Sequence, residues 1–167
     1  MEKKAMRRYC LDTNAFVEPW NKYFSMQRCP KYWEILDNLG KKEIVFCPDQ
    51  VKREIDKVDD TLKVWLNSRP HFMRQETEEV QQYVRKILET FPNLISVGAN
   101  RSMADPWVIA HAMAEDAVVV SKEYIVNATQ KSSRVKIPDV CRHFRVSYID
   151  DFKFMDEIGI KLDASLS

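Results

Sequence analysis

The sequence feature that most constrains the fold is the short apolar run Ala117-Val-Val-Val-Ser121. An apolar run without polar alternation is expected of a parallel strand that is buried on both faces of its sheet. The polar residues Lys122 and Glu123 follow directly and leave the carboxyl end of this strand. In open α/β sheets ligands bind beyond the carboxyl ends of the strands, so the run also predicts where a functional site will lie.

Further strand and helix patterns alternate along the chain. Strand patterns cover 9–11, 43–47 and 146–149, and helical patterns cover 23–39, 48–58, 62–72, 76–91, 105–116, 137–144 and a last helix from 150. This order predicts one three-layer α/β/α domain with a mostly parallel central sheet, whose strands all end at one edge. A chain of 167 residues suits a single domain, with 1–7 and 161–167 expected to be frayed.

Glycine and proline set the expected ends of several elements. Pro19 is expected to turn the chain after the first strand, and Gly40 is expected to stop the helix that Pro30 interrupts. Pro70 is expected to end the helix at 62–72, and the segment 94–101 is expected to be irregular.

Composition excludes some classes of protein. The net charge of +1 argues against a general DNA-coating protein, although an enzyme can hold nucleic acid through a local patch. The four cysteines contain no Cys-x-x-Cys spacing and are expected to be reduced, mostly buried thiols of a cytoplasmic protein. We find no signal peptide and no apolar stretch of the roughly 18 residues that a membrane span requires.

Four acidic residues are predicted to meet at the carboxyl edge of the sheet. Asp12 follows the first strand, Asp105 stands at the start of a helix, and Glu123 follows the valine-rich strand. Glu54 shares a helical face with three apolar residues, Val51, Ile55 and Val58. Buried acids are rare unless they are paired or bound to a metal, so Glu54 is expected to join the other three.

A group of carboxylates in this position predicts a metal site. Carboxylates that share one site repel one another, and at least one should have a raised pKa unless a cation is bound. Hard oxygen ligands suit Mg²⁺ or Mn²⁺. Such an ion can activate water and stabilise charge on a phosphoryl oxygen, and a second ion, if bound, can stabilise the leaving oxygen.

The sequence leaves a simpler explanation open for each acid. Asp12 can cap the following helix, and Asp105 can be the N-cap residue before Pro106. Glu54 can pair with a buried Lys or Arg, and Glu123 can be a solvated loop acid. The evidence for a shared site is therefore the order of four positions on one α/β scaffold.

Basic residues and histidines near this edge carry less information. A path for RNA or an ordinary solvated surface is equally compatible with the Lys and Arg residues at 52, 53, 122, 131, 134 and 136. No histidine has metal-ligand spacing to another, so structural roles are expected for His71, His111 and His143.

Four short segments resemble the motifs of the PIN-domain nucleases. They are Leu-Asp-Thr-Asn at 11–14, the helical Glu54, Ala-Asp-Pro-Trp-Val-Ile-Ala at 104–110 and Val-Val-Ser-Lys-Glu at 119–123. The resemblance spans nearly the whole chain, from Tyr9 to Ile149. It implies a parallel sheet flanked by helices and an Mg²⁺- or Mn²⁺-dependent endoribonuclease, that is, a phosphodiesterase that acts on RNA.

The resemblance also implies roles for individual residues. The catalytic, metal-binding acids would be Asp12, Glu54, Asp105 and Glu123. Asn14 and Ser121 would orient ligands or water. Glu123 departs from the family, which has Asp there, and the longer side chain of Glu can reach a metal through water.

Small members of the family, similar to VapC, are toxins of toxin–antitoxin pairs. The resemblance therefore implies an RNA substrate, an antitoxin partner and a homodimer as expectations for this chain. The helical segments at 23–39 and 62–91 are additional to the compact toxins, which indicates a divergent PIN-like subgroup with extra helices inserted.

Two other functions compete with the nuclease. A PIN-like module that binds RNA or a protein without cutting is favoured by the Glu at position 123. A phosphatase of the haloacid dehalogenase type requires a second Asp two residues after the first, and this chain has Asn14 there.

Overall fold

A five-stranded parallel sheet forms the centre of the computed structural model, which describes residues 6–58, 60–95 and 103–167. The strand order is β3-β2-β1-β4-β5, and each neighbouring pair is parallel. The strands are β1 (Tyr9–Leu11), β2 (Val45–Pro48), β3 (Met73–Arg74), β4 (Val118–Val120) and β5 (Tyr148–Ile149). The predicted α/β fold with a parallel sheet is thus confirmed.

Helices occupy the connections between these strands. Those in the described part of the chain are α1 (Thr13–Asn21), α2 (Pro30–Lys41), α3 (Asp49–Val58), α4 (Asp60–Asn67), α5 (Glu78–Thr90), α6 (Asp105–Glu115), α7 (Ile137–Phe144) and α8 (Asp151–Ile158). Every residue of β1, β2 and β4 is buried, so helices cover both faces of the middle of the sheet. The valine-rich run forms β4, which lies between β1 and β5 as a strand buried on both faces should.

The prediction of a turn at Pro19 was wrong, because Pro19 lies inside α1. The helix begins immediately after Asp12 and buries Ala15, Phe16 and Pro19 against the core. A proline inside a helix removes one backbone hydrogen bond, but apolar burial on the same face offsets that cost.

The prediction that Gly40 stops α2 was also wrong. The helix continues through Gly40 to Lys41, and Gly40 is buried against Phe72. A Cβ atom on Gly40 would lie 2.5 to 2.8 Å from three carbons of the Phe72 ring. Glycine is therefore present here because the helix approaches an aromatic ring closely, and not because the helix ends.

The segment around Pro70 differs from its prediction as well. α4 ends at Asn67, a 3-10 turn covers Pro70–Phe72, and β3 follows at Met73–Arg74. An edge strand of two residues has no alternation that a sequence pattern can detect. The predicted irregular segment 94–101 falls largely on residues 96–102, which lie outside the described residues.

Candidate active site

The four predicted acids lie around one pocket at the carboxyl edge of the sheet. The pocket has a volume of about 240 Å³ and is also bordered by Thr13, Asn14, Val17 and Val58. The acids that line it are Asp12, Glu54, Asp105 and Glu123. Pockets for drug-sized molecules are usually about 300–1,000 Å³, so this smaller space suits an ion with its water molecules.

Asp12 lies at the bottom of this pocket and is only 2% exposed. It is the N-cap of α1, and its Oδ1 accepts a hydrogen bond from the Thr13 backbone N–H at 2.7 Å. Its Oδ2 accepts a hydrogen bond from the Ser121 hydroxyl at 3.0 Å. Asp12 therefore caps its helix, as the simpler explanation predicts, and also faces the pocket.

Ser121 and Asn14 connect the ends of β1 and β4. The Asn14 Oδ1 accepts a hydrogen bond from the Lys122 backbone N–H at 2.8 Å, which holds the chain just after β4. Ser121 Oγ accepts a bond from the Glu123 backbone N–H at 3.2 Å while its own hydroxyl reaches Asp12. These contacts fix the orientation of Asp12; the predicted role in orienting a ligand or water stays a prediction.

Glu54 links two helix starts that are distant in the sequence. One carboxylate oxygen accepts the Thr13 hydroxyl at 2.5 Å, and the other accepts the Ala104 backbone N–H at 3.1 Å. Glu54 is half-buried in α3, beside the fully buried Val51 and Ile55. Its predicted face is correct except for Val58, which is 73% exposed at the pocket.

Asp105 begins α6 and is 6% exposed. The suggestion that Asp105 is the N-cap was wrong, because Ala104 occupies the N-cap position in the αR conformation. The Ala104 N–H is satisfied by Glu54, so α6 has a capping carboxylate from another helix. The Asp105 side chain lines the acidic pocket.

Glu123 lines the same pocket, three residues beyond β4. Its Oε2 accepts a hydrogen bond from the Ile137 backbone N–H, the first residue of α7, at 2.8 Å. Its Oε1 lies 4.0 Å from the Lys136 ammonium. Glu123 is therefore held at a helix start, and the explanation as a purely solvated acid is wrong.

Electrostatic repulsion is concentrated on Asp12. Burial, followed by the negative charge of Glu123 and, least, that of Glu54, raises the pKa of Asp12 to about 7. The hydrogen bonds from Ser121 and Thr13 favour the ionised form but do not compensate. A carboxylate with these neighbours has an unusually high affinity for a positive charge, either a proton or a cation.

The family of the chain is shown by comparison with known sequences. The family described as "Domain of unknown function (DUF4411)" matches residues 9–162. The chain belongs to the DUF4411 family. A search of the curated proteins found no significant match to this DUF4411 protein.

Solved structures show the same fold with low sequence identity. VapBC2 from Rickettsia felis, bound to a DNA fragment from their promoter, matches with a TM-score of 0.50, 16% identity, and coverage of 85% of this chain and 97% of that chain. FitAcB from Neisseria gonorrhoeae has a TM-score of 0.49 at 15% identity, covering 84% and 95%, respectively. VapBC-1 from nontypeable Haemophilus influenzae has a TM-score of 0.49 at 14% identity, and the match covers 85% of this chain and 96% of that chain. The match to VapBC2 shows that the DUF4411 protein has the PIN-like fold that its motifs predict.

The donor chemistry of the pocket fits a hard divalent cation. All four acidic side chains offer carboxylate oxygens, and Val17 and Val58 restrict the entrance. Among the residues that the structure describes, however, no three His, Cys, Asp or Glu side chains are close enough to hold one ion together. Mg²⁺ commonly keeps several waters and binds through one or two carboxylates, so the donor set fits an ion bound in that way.

Another buried acid, which pairs with the residue before Glu123, was missed by sequence reasoning. Asp151, the first residue of α8, is 1% exposed and accepts a hydrogen bond from the Lys122 ammonium at 2.9 Å. The Tyr23 hydroxyl donates to the same carboxylate, and Lys122 also lies over the rings of Tyr23 and Phe152. The adjacent acids Asp150 and Asp151 could have indicated a second role for Asp151, because only Asp150 is needed to cap the helix.

Thr13 was missed in the same way, although it lies inside a quoted motif. Its hydroxyl donates to Glu54, so a residue between two recognised polar positions joins two acidic elements. No pattern in a single sequence predicts this contact, since it depends on how α1 and α3 pack.

Three of the six suggested basic residues form close ion pairs with nearby acids. Lys52 pairs with Asp56 and Arg53 pairs with Asp49 along α3, while Lys122 pairs with Asp151. The histidines do not line the acidic pocket: His71 contacts Asp37, His143 packs on Phe91, and His111 is buried with its pKa lowered to about 4, mainly by burial.

Proposed function

We propose that this protein is an Mg²⁺- or Mn²⁺-dependent nuclease that hydrolyses phosphodiester bonds in RNA. The observation that carries the proposal is the convergence of four acids from separate elements on one pocket at the carboxyl edge of a PIN-like sheet. The raised pKa of Asp12 supports it, because this arrangement favours a bound cation.

Each acid has a distinct role in this proposal. Asp12 and Asp105, which are nearly buried, would hold the cation, while Glu54 and Glu123, which line the same pocket, would add negative charge around its water molecules. When bound, the cation would lower the pKa of a water molecule and stabilise charge on the phosphate. Ser121 keeps Asp12 oriented toward the pocket.

A further part of the proposal concerns the biological role of the protein. The fold shared with VapBC2 supports a role as the toxin of a toxin–antitoxin pair with an antitoxin as partner. A homodimer as the assembly and the cytoplasm as the compartment belong to the same proposal and follow from the resemblance of the motifs. Buried free thiols at Cys10, Cys47 and Cys141 suit a reducing compartment. The test is induced expression: growth arrest by the wild type and not by Asp12→Asn supports toxicity, and normal growth with both argues against it.

The first experiment measures metal binding and needs no knowledge of the substrate. Mn²⁺ is titrated by calorimetry into metal-free wild type, Asp12→Asn and Asp37→Asn. Asp37 is the matched control because it is a partly buried acid that pairs with cations elsewhere. We expect saturable binding in the wild type and the control and none in Asp12→Asn; a folded wild type that binds no Mn²⁺ contradicts the metal site.

The second experiment measures cleavage of a pool of single-stranded RNAs with Mn²⁺. Asp12→Asn and Asp105→Asn should each lower the rate by at least about a hundredfold, since each removes charge that the cation requires. Asp37→Asn should cleave at the wild-type rate. Equal rates in all four proteins would show that a contaminant cuts the RNA.

A specific observation favours a second candidate function, a PIN-like module that binds without cutting. Glu123 already accepts the Ile137 N–H and lies near Lys136, and the described side chains do not converge on one ion. Wild-type protein that binds RNA equally in Mn²⁺ and EDTA and never cleaves it would select this function over the nuclease.

A further inference from the structure

The connection between β4 and α7 is long for a compact domain. It runs from Ser121 to Lys136 without a helix or a strand. Connections longer than about 12–15 residues without secondary structure are uncommon, and they usually have a function or are disordered. A functional role therefore has to be considered for this segment.

Contacts with α7 and the core fix the path of this connection. Asp139 accepts a hydrogen bond from the Ala128 backbone N–H at 3.3 Å, and Arg142 donates to the Asn127 side chain at 2.7 Å. Val135 is 2% exposed and belongs to the hydrophobic core. The connection is thus a built part of the domain that presents a defined surface.

That surface forms an open cleft of about 550 Å³. Tyr124 and Val126 give it an apolar part, and Thr129 and Ser132 add hydroxyl groups. Its charged lining residues are both cationic, Arg134 and Lys136. In a chain whose net charge is only +1, a local surface of this composition is selective for an anionic ligand with apolar parts.

The cleft adjoins the acidic pocket. Tyr124 lines the cleft and is the next residue after Glu123, which lines the pocket. The Lys136 ammonium, on the cleft side, lies 4.0 Å from the Glu123 carboxylate. The cleft and the acidic pocket are therefore close enough for one polymer to contact both.

Tyr124 supplies the feature that distinguishes a nucleic acid from other anions. Its side chain is 75% exposed, although a large aromatic group in contact with water is unfavourable without a ligand. Unpaired bases stack on exposed aromatic rings, whereas the bases of a duplex are already stacked on each other.

We propose that this cleft binds single-stranded RNA beside the cleavage site, with one base stacked on Tyr124 and phosphates bound by Arg134 and Lys136. The proposal rests on the nuclease function above and deepens it by naming the form of the substrate and the side chains that hold it. Arg134 is exposed, so it can reach a backbone phosphate without losing a structural contact to the core.

The test measures the affinity of a short fluorescein-labelled single-stranded RNA by anisotropy in EDTA, where metal-dependent cleavage cannot occur. Tyr124→Ala should bind about 5- to 100-fold more weakly, the loss measured for one stacked base. Tyr124→Phe, which keeps the ring, should bind like the wild type. That result would show that the loss of affinity in Tyr124→Ala comes from the lost stacking and not from misfolding.

The charged part of the cleft is tested by the salt dependence. For single strands the slope of log affinity against log salt changes by about 0.7 for each phosphate contact, so Arg134→Ala should reduce the slope by about that amount. Arg85→Ala is the matched control, because Arg85 is an exposed arginine on α5 outside the cleft. It should leave both the affinity and the slope unchanged.

Three results would overturn the cleft proposal. The first is that Tyr124→Ala and the wild type bind the single-stranded RNA with equal affinity. The second is that the wild type binds duplex RNA as tightly as the single strand. The third is that the wild type does not bind the single-stranded RNA. Cleavage with Mn²⁺, assayed in parallel, separates the two proposals. A wild type that cleaves while Tyr124→Ala binds normally refutes only the cleft, whereas a wild type that neither binds nor cleaves refutes both.

Discussion

Asp12 and Asp37 are two poorly exposed aspartates whose surroundings are opposite. Asp12 lies with other acids, and burial together with Glu123 raises its pKa to about 7. Asp37, on α2, lies within 2.7 Å of the His71 ring, 3.0 Å of the Lys41 ammonium and 3.3 Å of Arg69 Nε. Burial raises the pKa of Asp37, but the hydrogen bonds from Lys41 and His71 and the charge of Arg69 lower it below its ordinary value.

The difference lies in the charges that surround each carboxylate. Asp37 has its counter-charges within the folded chain, so its ionised form stabilises the native state. Asp12 has acidic neighbours instead, so its ionised form weakens the native state until a proton or a cation binds. The same residue type thus forms a stabilising contact in one place and, in the other, the kind of site that the proposed function requires.

The largest expected effect is on stability without metal. The pKa of Asp12 is about 7 in the folded state and about 3.9 in the unfolded chain. The protonated side chain therefore contributes to the stability of the fold below about pH 4, and this contribution is lost as the pH rises through 7. Asp12→Asn cannot ionise, so its stability does not fall in this way, and it keeps the helix cap because Asn caps as well as Asp. At pH 8 the variant should be more stable by a few kcal/mol in urea unfolding.

The control for this prediction is the pH dependence of the wild type. Its free energy of unfolding should fall between pH 4 and pH 8 more steeply than that of Asp12→Asn. An Asn variant that is less stable than the wild type in metal-free buffer would contradict the repulsion.

The next prediction tests whether a destabilising substitution near Asp37 leaves metal binding unchanged. Gly40→Ala places a methyl group against the Phe72 ring, which packs on His71, and overpacking of this kind costs about 1–3 kcal/mol. Thermal unfolding should show the loss, and Mn²⁺ binding by the folded variant should be unchanged, because none of these residues lines the acidic pocket. Weaker Mn²⁺ binding would show that the two regions are coupled.

The smallest effect is expected for Asp37→Asn. It removes the charge that pairs with Lys41 and Arg69 and contacts His71 at a partly exposed site, which should cost about 1 kcal/mol at neutral pH. Because the pKa of Asp37 is lowered in the folded state, its contribution is present above about pH 4 and is lost as the pH falls through the folded pKa. Urea unfolding of variant and wild type should therefore converge in acid and differ at pH 7.

Much of the fold was predictable because its signals are local. The buried run of β4, the helix at Ile137–Phe144 and the start of the last helix near Asp150 were each identified from adjacent residues. Gly40 and Pro19 were misinterpreted because tertiary packing overrides their usual preference to end helices. β3 has too few residues to leave a pattern.

The candidate site was predictable only at the level of residue identity. The order of four acids on an α/β scaffold indicated a common edge, and the structure brings all four to one pocket. The contacts that orient them were not predictable, because the Thr13–Glu54 and Glu54–Ala104 bonds depend on the packing of helices. Asp151 was missed because its partners, Lys122 and Tyr23, are distant in the sequence.

The hydrogen bonds of Glu54 and Ser121 also affect when the site forms during folding. The contacts Thr13–Glu54, Ala104–Glu54 and Asp12–Ser121 close loops of 41, 50 and 109 residues, respectively. Closing such loops has an entropic cost that must be met before the contacts form, and non-local contacts slow folding. A nascent chain that has not yet reached residue 121 lacks the hydroxyl that orients Asp12. We therefore expect the acidic pocket to be complete only once the chain has been synthesised past Glu123, about three quarters of its length, so a shorter growing or truncated chain lacks the complete pocket.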